Sequence, residues 1–161
     1  MDDTDIDRLI SQRPRVRGFS PSNPDPRAVR LVRDPLPVPT ACRCGGGVEL
    51  KHHETAYGRA YSNWPWLYRC AACGAQVGLH PGTSIPLGTL ADAPTRAARS
   101  HAHAVFDPMW RDRGPFARGA AYAWLAQAMG LPLERCHISM MDVEQCKRAA
   151  ALCMQRRFSA R

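Results

Sequence analysis

The chain has 161 residues, 45% of them apolar, and a formal net charge of +8, which suits one ordinary core or a small module joined to a helical unit. No apolar run approaches membrane-spanning length, and the first residues, Met1-Asp2-Asp3-Thr4-Asp5, are acidic where a signal peptide is basic and then apolar. Composition therefore argues against a membrane-spanning or exported protein, and the expected compartment is the cytoplasm.

Residues 1–40 carry seven prolines, seven arginines and six aspartates, with few aromatics and no sustained period. Such a stretch cannot bury enough surface to offset the entropy of ordering it, so a disordered arm is expected. Within it, Asp3 to Gln12 has the pattern of a short helix, with Ile6, Leu9 and Ile10 on one side.

Two cysteine pairs follow, Cys42-Arg43-Cys44 before Gly45 and Cys70-Ala71-Ala72-Cys73 before Gly74. A thiolate pair at each end of an insert of roughly 25 residues is what a tetrahedral zinc site needs, because each pair fills one edge of the tetrahedron while the insert folds back as a hairpin. The glycines predict tight turns with backbone N–H groups aimed at sulfur. The first pair is CxC, one residue short of the usual spacing. It can still reach, because side chains two apart on an extended segment point to the same side, and the sulfurs need to be only about 3.8 Å apart. The alternative makes Cys42 a small buried residue and gives the fourth position to His52, His53, His80 or water.

Between the pairs, Val48 and Leu50 alternate with Glu49, and Tyr57, Tyr61, Trp64, Trp66 and Tyr68 approach the second pair. Short strands rich in aromatic and β-branched residues predict a zinc-ribbon-like β module over residues 41–91. The aromatics are expected to pack its core, with a base-stacking face as the alternative. Val77 to Leu90 reads as ordered loop and short strand with turns at Pro81-Gly82 and Leu87-Gly88.

Residues 92–161 read as three helices in a compact unit packed on the module. Asp92 before Ala93-Pro94 starts the first, which runs to about Phe106, where Asp107-Pro108 interrupts it. The second runs from about Pro115 to Gly130. The third starts at Asp142 with Gln145 completing a capping box and puts Val143, Cys146, Ala149, Ala150 and Cys153 on one stripe. Eleven residues between Gly130 and Asp142 are too many for a helix-turn-helix.

Taken together, Cys44-Gly45, Tyr57-Gly58-Arg59, Cys70-Ala71-Ala72-Cys73, Val77-Gly78, His80-Pro81-Gly82-Thr83, Pro86-Leu87-Gly88-Thr89-Leu90-Ala91, Ala102-His103, Phe106-Asp107-Pro108, Ala121-Tyr122-Ala123-Trp124-Leu125-Ala126, Cys136-His137-Ile138 and Gln145-Cys146 resemble a family of small zinc-finger-containing domains of unknown function, encoded mainly by bacteriophages and bacteria. The resemblance spans about residues 42–150. It implies zinc binding and carries no activity with it. The CxC at Cys42 departs from the CxxC it leads one to expect.

Three enzymatic or metal-binding alternatives are weaker. His52-His53-Glu54 with Cys70-x-x-Cys73 contains the H-x-E and C-x-x-C of zinc nucleobase deaminases, but Arg69 stands where their proline belongs and the insert reads as strands. A metal nuclease would draw on His52, His53, His80, His101 or His103 with Asp107, yet His101 and His103 lie two apart on a helix and cannot share a face. His101 is expected to be partly buried and His103 exposed. A second zinc site at Cys136, His137, Cys146 and Cys153 fails because Cys146 and Cys153 lie about 10.5 Å apart along one helix. Cys146 is read as core and His137 as part of an ordered turn.

The charge is uneven. Residues 93–161 hold eleven Lys and Arg against five Asp and Glu, most of the net excess, and four bound thiolates would leave the zinc-loaded chain near +6 overall. Lys147, Arg148, Arg156 and Arg157 form the candidate phosphate-binding surface, although cations near a helix end also favour its dipole. The sequence therefore predicts an α+β, non-enzymatic zinc-binding protein, with Cys42, Cys44, Cys70 and Cys73 as ligands and DNA or RNA as partner. An acidic phage or bacterial protein is the alternative partner.

Overall fold

The computed structural model describes residues 18–114 and 116–159, with side chains of the last helix described through Arg156. The chain divides between Asp92 and Ala93 into two units. The helix expected over Asp3 to Gln12 lies outside the described residues.

In the first unit the proline-rich stretch is more structured than its composition suggests. Helix α1, Pro26–Leu31, starts where Asp25 accepts a hydrogen bond from the Arg27 amide and Pro26 takes a first-turn position that needs no N–H donor. The Asp25 amide donates to Gly82 O at 2.8 Å, and Ala28 is buried. A small residue on the inner side of a proline-capped turn thus anchors part of a segment whose average composition reads as disordered.

The module is an antiparallel meander of β1 (Val48–His52), β2 (Trp66–Cys70) and β3 (Gln76–Gly78). In the ladder Val48 faces Cys70 at one end and His52 faces Trp66 at the other. The insert is not all strand. Helix α2, His53–Tyr57, follows β1, with His52 Nδ1 accepting from the Glu54 amide and Gly58 at φ +79° closing it. A one-turn helix has too little sequence for a periodic signal, and His is an uncommon cap, so the strand reading failed there.

Trp64, Tyr68 and Leu79 form the small core, with Val48, Trp66, Val77 and Leu90 against it. Its polar atoms are satisfied: Trp64 Nε1 donates to Thr83 O at 3.0 Å and Tyr68 Oη to Ser84 O at 2.7 Å.

The second unit contains α3 (Ala93–Phe106), α4 (Ala117–Met129) and α5 (Val143–Ser159), with 3₁₀ turns at Asp107–Met109, Leu133–Arg135 and Ile138–Met140. Asp107-Pro108 ends α3 as the sequence requires. The Asp142 amide donates to Gln145 Oε1 at 3.1 Å and the Gln145 amide to Asp142 Oδ1 at 2.8 Å, a reciprocal capping box. Phe106, Leu125, Ile138, Met141, Cys136, Cys146, Ala149 and Cys153 are buried together, and Arg99 Nε ties α3 to Met141 O at 2.9 Å. His101 is exposed and His103 half-buried, the reverse of expectation, because Ala102 and Phe106 set the inward face while His103 Nδ1 pairs with Asp107 Oδ1 at 3.2 Å. No helix among the described residues is long and apolar enough to cross a membrane.

Candidate metal centre

Two tight turns present the cysteines. In the first, the Cys42 amide donates to Gly46 O and the Gly45 amide back to Cys42 O, both at 2.9 Å. In the second, the Cys70 amide donates to Ala75 O at 2.8 Å and the Gly74 amide to Cys70 O at 3.1 Å. Gly45 and Gly74 stand at φ +85° and +73°, backbone that a side chain rarely adopts. The ladder end at Val48 and Cys70, extended by the Ala71 amide donating to Gly47 O at 3.0 Å, sets the two turns face to face.

The four thiol sulfurs of Cys42, Cys44, Cys70 and Cys73 lie within 4.8 Å of one another. Cys44 Sγ is 3.5 Å from Cys70 Sγ and Cys42 Sγ is 3.6 Å from Cys73 Sγ, so each close contact joins one turn to the other. Tetrahedral zinc with Zn–S bonds of about 2.3 Å needs sulfurs roughly 3.8 Å apart, and this cluster fits. Among the described residues, no histidine belongs to a cluster that could hold a metal. The shortened CxC spacing does not keep Cys42 from the group. The donor set is all sulfur, with no place kept for water, which is the pattern of a structural rather than a catalytic zinc.

Backbone N–H groups support the sulfurs, though not those of the glycines named from the sequence, whose amides serve carbonyls. The Gly46 amide donates to Cys44 Sγ at 3.4 Å and the Cys73 amide to Cys70 Sγ at 3.5 Å. Hydrogen bonding from the Cys73 amide, more than any other influence, brings the Cys70 thiol down to about 6 without metal. The Ala75 amide pulls the Cys73 thiol down, but hydrogen bonds with Cys44, Cys42 and Cys70 outweigh it and push it up to about 12. A thiol pulled down beside another pushed up marks sulfurs crowded closely enough to compete for charge, which a divalent cation among them would neutralise.

Gly46 is the residue that sequence reasoning missed. A β-carbon there would lie 2.7 Å from Ala72 Cβ and 2.8 Å from Cys70 Sγ, so only glycine allows the first turn to approach the second. Its place in the run Gly45-Gly46-Gly47 was the available signal.

His52 caps α2, and Glu54 lies 3.7 Å from its Nδ1 on the exposed face of that helix. Cys136, Cys146 and Cys153 are packed in the helical core, where burial pushes each thiol up, Cys153 to about 11. The His137 ring rests on Tyr122, with ring centroids 4.9 Å apart.

The basic residues of α5 do not form one patch. Lys147 and Arg156 are nine positions apart, which puts them about 180° apart around the helix. Lys147 Nζ also pairs with Glu144 at 2.7 Å. Arg148 is exposed, and Arg156 lies over the Trp124 ring with its Cζ 4.4 Å from the centroid. The side chain of Arg157 lies outside the described residues.

Residues 38–156 match the zinc-finger-containing domain family DUF3268. No curated protein and no solved structure matches the chain. The match covers most of the chain, and the protein belongs to this family of zinc-finger-containing domains.

Proposed function

We propose that this is a non-enzymatic binding protein in which zinc holds the first unit in shape and basic side chains of the second unit contact nucleic acid. The observation that carries the zinc half is the cluster of four sulfurs drawn from two turns. Zinc saturated by four protein ligands polarises no substrate; its contribution is folding free energy for a module whose own core centres on three buried side chains.

The nucleic-acid half rests on charge. Eleven of the 22 Lys and Arg residues lie in residues 93–161 against five acidic ones, and long-range attraction of that sign favours polyanions. Arg148 and Arg156 are its best-placed members on α5, because Lys147 is already paired with Glu144. Arg156 is held over Trp124, so less side-chain freedom is lost when it meets a phosphate.

The test is the salt dependence of binding to DNA and to RNA. Each phosphate neutralised releases counterion, so log K should fall steeply with log salt. Replacing Lys147, Arg148, Arg156 and Arg157 with Gln should lower affinity and slope together. A wild-type protein that binds neither polymer at low salt ends this reading.

A second reading is favoured by a cleft of about 350 Å³ in the helical unit, lined by Pro108, Met109, Ala117, Ala120 and Ala121 with Arg113 and Arg156. A lining of apolar side chains with two arginines suits an acidic protein segment that inserts an apolar side chain.

A further inference from the structure

The five aromatics between the cysteine pairs do not share one role. Trp64 and Tyr68 are buried and Trp66 is partly so, whereas Tyr57 is 39% exposed and Tyr61 58%. The two exposed rings are nevertheless held in place. Tyr57 and Tyr61 meet edge to face with centroids 5.4 Å apart, and the His53 ring touches both, at 5.6 and 6.2 Å. Gln76 Nε2 donates to Tyr57 Oη. The Tyr61 amide donates to His53 Nδ1 at 3.3 Å, and the Arg59 guanidinium lies 4.5 Å from the Tyr61 centroid.

Tyr61 keeps more than half of its surface in water and Tyr57 about two-fifths, so packing within the module leaves ring surface available to a partner. Their surroundings argue against an apolar side chain as the occupant. Glu54, Thr55, Gly58, Ala60, Ser62 and Asn63 are exposed, small or polar, and form no greasy rim. What such a surface offers is exposed aromatic ring with a guanidinium lying over one of the rings. Flat π systems alternating with negative charge are the chemistry of an unpaired nucleotide strand, in which a base can stack on tyrosine while the neighbouring phosphate meets arginine. A duplex offers its phosphates but not its base faces, which are already stacked on each other.

We infer that Tyr57 and Tyr61, with Arg59, form a stacking platform for the bases of single-stranded nucleic acid on the zinc module. This deepens the nucleic-acid reading above and rests on it. The two surfaces differ in physics: the second unit supplies salt-dependent attraction, and the tyrosine rings of the platform supply contact with bases that releases no counterion.

The experiment uses the full zinc-loaded chain and three probes of roughly 12 nucleotides: oligothymidylate, the same length of abasic strand, and a duplex. Oligothymidylate should bind about tenfold more tightly than the abasic strand. Tyr61→Ala should remove that difference while leaving the salt slope, zinc content and melting temperature unchanged, and Tyr61→Phe should restore it. Equal binding of oligothymidylate and abasic strand, or an unaltered preference in a Tyr57→Ala/Tyr61→Ala variant, overturns the platform and leaves the charge-based reading standing. Tighter binding of duplex than of single strand also overturns it. Failure of all three probes to bind at low salt removes the charge-based reading and the platform together.

Discussion

Gly46 and Cys70 approach so closely across the two cysteine turns that a β-carbon on Gly46 would lie 2.8 Å from the Cys70 sulfur. The adjacent Gly47 has nothing within 4 Å of the same construction. Neighbouring glycines in one run therefore have different roles. Gly46→Ala should lower zinc affinity by at least about tenfold, the scale seen when support around metal ligands is lost, whereas Gly47→Ala should be nearly silent. Competition with a chromophoric chelator measures both, and equal effects would contradict the close approach.

Metal analysis should give one zinc per chain, and chelation should unfold residues 41–91. Cys42→Ala is the sharpest ligand test, because the CxC spacing makes Cys42 the least expected member. Its sulfur lies 3.6 Å from that of Cys73, so its loss should weaken zinc binding markedly. Unchanged affinity in Cys42→Ala would show that another group completes the site.

Thiol reactivity should divide the seven cysteines into two classes. With zinc bound, an aromatic disulfide reagent should find few reactive thiols. After chelation it should find the four of the cluster, and Cys136, Cys146 and Cys153 only on full denaturation, because they are buried and held protonated. Rapid reaction of all seven after chelation would mean that the helical unit opens with the zinc module.

Alkali should destabilise the helical unit through the same thiols. Burial raises Cys153 from 9.0 to about 11, so the unfolded chain ionises there first. The stability this gives is complete below pH 9 and lost as pH rises through about 11. Thermal melts of wild type should fall across that window, and Cys153→Ala should flatten the fall while lowering stability at neutral pH by leaving a small cavity.

Asp142→Ala should cost about 1 kcal/mol, because it removes the carboxylate that accepts from the Gln145 amide at 2.8 Å. Asp142→Asn should recover most of that loss. A denaturant titration distinguishes the two.

Much of this molecule was legible where local chemistry decides it. Asp107-Pro108 ends a helix by steric necessity, Asp142 and Gln145 are spaced to cap each other, and four cysteines in two pairs specify a sulfur cluster. Less was legible where average composition stood in for local detail. Ala28 anchors α1 inside a proline-rich stretch, and α2 is too short to show a period. The division of aromatics into buried Trp64 and Tyr68 and exposed Tyr57 and Tyr61 was not legible either, because it depends on which residues the strand ladder includes. The spread of Lys147 and Arg156 to opposite sides of α5 could be computed from helical pitch, but counting charge along the chain concealed it.

The β1–β2 ladder has two ends of different character, with Val48 and Cys70 closing it beside the sulfurs and His52 and Trp66 opening it toward the tyrosines. Three residue pairs lie between them, which sets the two ends about 13 Å apart at roughly 3.3 Å per residue. Residues 53–63 nevertheless reach back toward the sulfurs, because Tyr57 meets Gln76, which pairs with Arg69 beside Cys70, so a donor loop grafted onto the metal-held stem keeps the stem's grip on the ion only where it reproduces that contact.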